Sequence, residues 1–80
     1  MSPTVLRERG FRLHFHAAEE PRVHVHAQKE RREAKFWLEP RVELADNAGL
    51  TRRELATALE LVREHEHEIR CAWQTFFGDR

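Results

Sequence analysis

Three stretches in the first half of the chain alternate with a period of two. In FRLHF, residues 11–15, Phe11, Leu13 and Phe15 share one side, while Arg12, His14 and then His16 share the other. VHVHA, residues 23–27, sets Val23, Val25 and Ala27 against His24 and His26. EAKFWL, residues 33–38, sets Ala34, Phe36 and Leu38 against Glu33, Lys35 and Trp37. Strict alternation rich in aromatic and β-branched residues marks strands with one buried face. From residue 52 the apolar spacing becomes helical. A chain with strands first and a helix last must lay the helix on the apolar face of the sheet.

The expected architecture is therefore α+β: an antiparallel β-meander of three to five short strands followed by one long amphipathic C-terminal helix. PTVL at 3–6 and VELA at 42–45 are the additional short strands. RERG, AAEEPR and KERR are the turns, and Pro40 interrupts the chain after the third alternating stretch. Asp46 and Asn47 read as turn residues. Matching apolar faces pairs His14 with His26 and His16 with His24. It also pairs Val25 with Phe36, Val23 with Leu38, His24 with Trp37, His26 with Lys35 and Gln28 with Glu33.

The helix is predicted over 52–77. Thr51 caps it, Glu54 completes a capping box, Leu50 and Leu55 occupy the staple positions, and Gly78 supplies the stop. Leu55, Leu59, Val62, Ile69, Trp73 and Phe76 form its apolar stripe, widened by Ala58 and Ala72. Such a helix spans about 38 Å, against about 17 Å for a five-residue strand. The overshoot leaves Trp73, Phe76 and Phe77 as an expected self-association edge, and with it a homodimer.

Eighty residues suit a single domain over 1–80. Cys71 stands alone, so no internal disulfide staples it, which fits a reducing compartment. Apolar runs long enough for a membrane span or a signal peptide are missing, and a cytoplasmic location is expected. Fourteen Lys and Arg balance fourteen Asp and Glu. Without a concentrated basic patch, nucleic-acid binding by this chain alone is not expected. No cofactor is implied.

The histidine face invites three readings. As a solvated contact face, Arg12, His24, His26, Lys35 and Trp37 would meet a protein partner, with Trp37 as the aromatic anchor. As a metal site, His14, His16, His24 and His26 would supply imidazole ligands, since cross-strand neighbours come within about 5 Å. The strand pattern sets no carboxylate inside that cluster to orient the rings. As a metal-free nuclease, His24 or His26 would serve as general base, with Arg12 and Lys35 stabilising phosphate. On the helix, His67 and Cys71 have the spacing of two ligands but make no zinc site alone. Ser2 lies in a terminus where no triad could be held.

PTVLRERGFRLHF, EPRVHVHA, EAKFWLEP, ELADNAGL and the terminal AWQTFFG together resemble the DUF4160 family of small bacterial proteins of unknown function. Where family members read Pro-Pro-His, this chain has Pro21, Arg22 and Val23 before His24, and Arg41 is an insertion after Pro40. Asn47 corresponds to an asparagine common in the family. Genes of this family often neighbour those of a second small family, DUF2442. The resemblance thus implies a regulatory or toxin–antitoxin-like module with a small protein partner encoded nearby. On that ground the chain is expected to be a protein-interaction module, with a nuclease or metal-binding protein as the alternative.

Overall fold

Short polar turns fold each alternating stretch back on its predecessor. The computed structural model describes residues 4–16 and 21–78. Its strands are β1 (Thr4–Glu8), β2 (Phe11–His14), β3 (His24–Lys29), β4 (Arg32–Trp37) and β5 (Glu43–Ala48). They form one sheet in sequence order, every neighbouring pair antiparallel. At the β1–β2 turn, Arg9 and Gly10 both have positive φ, 52° and 82°. Two such residues give the twist that a two-residue hairpin needs. Part of the AAEEPR loop, residues 17–20, lies outside the described residues.

The expected register holds. His14 pairs with His26 across β2 and β3. Across β3 and β4, Val25 pairs with Phe36, His24 with Trp37, His26 with Lys35 and Gln28 with Glu33. Leu38 donates its N–H to the Val23 carbonyl at 3.0 Å, extending this ladder by one step. The fifth strand differs: β5 runs on through Asp46 and Asn47 instead of turning there. The turn comes at Asn47–Leu50, where Asn47 Nδ2 donates to the Leu50 carbonyl at 3.1 Å. Asn47 Oδ1 accepts from Leu50 N–H at 3.0 Å.

The single long helix is corrected to two, α1 (Arg52–Glu64) and α2 (Glu66–Phe77). The start is as expected, with a full capping box between Thr51 and Glu54. Arg32 Nη1, on β4, also donates to both Glu54 oxygens at 2.6 and 2.8 Å, pinning the helix start to the sheet. The break falls at His65, whose φ of −110° and ψ of 20° depart from helical values. His65 Nδ1 meets Glu68 at 2.7 Å and its Nε2 meets Glu8 of β1 at 3.0 Å. The hydrogen bond to Glu68, then that to Glu8, raises the His65 pKa above its ordinary value.

This break answers the length mismatch within one chain. The thirteen residues of α1 span about 20 Å, close to the length of a six-residue strand. Beyond the break, Ile69 and Trp73 of α2 join the core. That core joins Phe11, Leu13, Phe15, Val25, Phe36 and Leu38 of the sheet region to Ala58, Leu61, Val62, Ile69 and Trp73 of the helices. Phe15 packs edge-on against Trp73 at 5.3 Å and meets Phe77 at 5.9 Å. Of the expected self-association edge, Trp73 is buried by its own chain, while Phe76 is exposed.

Candidate functional site

The non-helical side of β2–β4 carries alternate residues, and there the sheet gathers His14, His16, His26 and Glu33. The cross-strand pairing of His14 with His26 stacks their rings at 5.5 Å. His16, just past β2, lies flat on His26 with 3.7 Å between centroids and 8° between planes. Glu33 reaches the group diagonally, from two residues before Lys35, the partner of His26. Diagonal neighbours of about 7–8 Å are within range of a long side chain.

Glu33 is the centre of this group. One carboxylate oxygen accepts from His26 Nδ1 at 3.0 Å. The other lies 3.4 Å from His14 Nε2, and His16 Nε2 lies 3.7 Å from the carboxylate. Ligand atoms of His14, His16 and Glu33 all lie within 4.8 Å of one another. Tetrahedral zinc with bonds near 2.1 Å sets its ligands about 3.4 Å apart. The two separations from Glu33, 3.4 Å to His14 and 3.7 Å to His16, are close to this.

His14 carries the chemical anomaly. It is 2% exposed, and among the described residues neither ring nitrogen has a hydrogen-bond partner. The 3.4 Å approach to Glu33 is a close pairing without hydrogen-bond geometry. Leaving such a buried polar group unsatisfied costs about 1–3 kcal/mol. Burial first, and then the positive charge of Arg12, lowers the pKa of His14. Its imidazole is therefore held neutral, the form that ligates metals.

The structure corrects the picture of four solvated imidazoles. His14, His24 and His26 are all buried. His24 is not among the residues whose ligand atoms come within 4.8 Å of one another. Its Nδ1–H donates to the Arg22 carbonyl at 2.7 Å, and its ring lies edge-on to Trp37 at 5.8 Å and Trp73 at 5.1 Å. Of the residues named for a nuclease, Lys35 pairs with His26 in register and lies 4.5 Å from the Trp37 ring centre, while Arg12 donates to Thr4 Oγ1 and Gln28 Oε1. Of the expected partner contacts, Arg12, Lys35 and Trp37 are half-buried, and Trp37 also carries the Arg22 guanidinium at 4.1 Å.

Two further groupings are weaker. Glu8, Glu64 and His65 come within ligand distance of one another, but both His65 nitrogens already meet carboxylates. His67 Nε2 lies 3.5 Å from Cys71 Sγ on the exposed side of α2, as the helical spacing implied, and gains no third ligand there among the described residues.

Among the described residues, no helix is long and apolar enough to cross a membrane. Comparison with curated proteins and with solved structures gives no match. The family comparison does: a model described as a domain of unknown function, DUF4160, matches residues 10–74, which include both histidine strands, Glu33 and most of the helical pair. The chain belongs to the DUF4160 family.

Proposed function

We propose that this domain is a small metal-binding protein. His14, His16 and Glu33 are the ligands, and His26 orients the carboxylate. The observation that carries the proposal is the buried His14, which makes no hydrogen bond among the described residues and sets its Nε2 3.4 Å from the Glu33 carboxylate. A divalent cation there would satisfy the ring and balance Glu33. Two imidazoles and one carboxylate, with no thiolate, suit zinc and its borderline neighbours such as cobalt and nickel. The hydrogen bond from His26 to Glu33 is the outer partner that ligating carboxylates normally have.

Calorimetric titration of untagged protein with Zn²⁺ tests this. The expected result is one ion per chain. Glu33→Gln keeps the shape and a hydrogen-bonding oxygen but loses the ligating charge. It should weaken zinc binding by at least about a hundredfold, with the circular dichroism spectrum unchanged. His67→Ala, remote from the cluster, should bind like the wild type. Undiminished binding in Glu33→Gln would remove the cluster from the proposal.

A further inference from the structure

The three ligands are not equally enclosed. The His14 side chain is 3% exposed, while His16 is 35% and Glu33 29% exposed. One flank of the site is dry and the opposite flank is open. On the open flank lies a cavity of about 240 Å³, lined by His16, His26 and Glu33 and by Ala34, Lys35, Asp46 and Ala48. By liquid volume it has room for about eight waters.

The geometry also bars the obvious fourth protein ligand. The His26 ring is parallel to that of His16 within 8°, at 3.7 Å. An imidazole nitrogen binds a metal in the plane of its own ring. An ion in the plane of His16 therefore sits more than 3 Å out of the plane of His26, beyond a bond of about 2.1 Å. The Nδ1 of His26 is in any case engaged with Glu33. Among the described residues, three ligands leave a four-coordinate ion one position short, the arrangement of reactive sites as opposed to closed structural ones.

We infer that a cation held by His14, His16 and Glu33 keeps an exchangeable coordination position facing the cavity lined by residues of β3, β4 and β5, and that this position takes water or a small anion. The inference rests on the metal-binding proposal. The cavity admits a ligand of a few heavy atoms. Lys35 and Asp46 pair in register at its rim, so charge of both signs borders the open position. A cation bound by two neutral imidazoles and one carboxylate keeps a net positive charge, which favours an anion over a neutral ligand.

Cobalt-loaded protein provides the test, because the visible spectrum of Co²⁺ reports its ligand set. Cobalt uptake is measured first, by the growth of the visible bands with added Co²⁺. Azide is then titrated into the loaded protein. The expected result is a saturable spectral change with one azide per cobalt. Ala48→Phe, at an exposed β5 position that lines the cavity, should leave cobalt uptake unchanged and weaken azide binding at least tenfold. Cobalt uptake with no response to azide would overturn the open position while leaving the metal-binding proposal intact. Azide binding undiminished by Ala48→Phe would overturn the assignment of the open side to this cavity. Failure to take up cobalt would overturn both.

Discussion

Phe15→Ala lowers the unfolding free energy by about 3–5 kcal/mol, the cost typical of emptying a buried phenylalanine site. Phe15 is 1% exposed and lies where the sheet meets the end of α2. Its ring contacts Trp73, Phe76 and Phe77 at centroid distances of 5.3, 6.4 and 5.9 Å. The aromatic end of α2 thus has Phe15 as its seat, and the chain has no disulfide to hold it there otherwise. A domain of this size has only about 5–15 kcal/mol in reserve, so the loss is a large fraction of the total. Urea unfolding followed by circular dichroism measures it. A loss under about 1 kcal/mol would mean that α2 is held elsewhere.

His14→Leu has the opposite sign for stability, which is what separates a functional histidine from a structural one. Leucine fills a similar volume and has no nitrogen to leave unsatisfied. In the presence of a chelator the variant should be more stable than the wild type by about 1–3 kcal/mol, and added Zn²⁺ should no longer raise its melting temperature. The pH response changes with it. The folded-state pKa of His14 lies below the ordinary value of 6.5, so the unfolded chain takes up the proton first. Proton uptake by the unfolded chain leaves stability undiminished above about pH 6.5 and erodes it as pH falls toward the folded-state value. His14→Leu removes that acid sensitivity. His65, with its raised pKa, acts in the other sense: its contribution is full below 6.5 and is lost as pH rises through the folded-state value. A His14→Leu protein less stable than the wild type, with the same acid sensitivity, would show that the ring has a structural role.

Much of this fold was legible in the sequence because period-two alternation fixes both face and register. Once Val25, Phe36 and Leu13 must face the same core, the pairings His14–His26 and His24–Trp37 follow. The helix break was not legible. The apolar stripe continues across His65, and the contact made at the break is tertiary: His65 meets Glu8, fifty-seven residues away, which no local pattern announces. The strand through Asp46 and Asn47 was hidden by residues that favour turns but here pair with Lys35 and Ala34.

The site was half legible. Alternation placed His14, His16, His26 and Glu33 on one side of the sheet. It could not show that His16, beyond the end of β2, folds back over His26, so that the imidazoles cover one another. Nor could nearest-neighbour pairing bring in Glu33, which sits opposite Gln28 and reaches the histidines only along the diagonal. His24 shares the spacing of His26, yet two indoles and a backbone carbonyl claim it.

The most direct test of the central claim is a nitrogen-resolved NMR spectrum of the six imidazoles, recorded at neutral pH before and after one equivalent of Zn²⁺. The ligating nitrogens of His14 and His16 are expected to move to metal-bound positions and saturate at one ion per chain. His24 and His67 should stay where they were. Saturable shifts at His67 with His14 unmoved, or small shifts spread over all the rings, would contradict it.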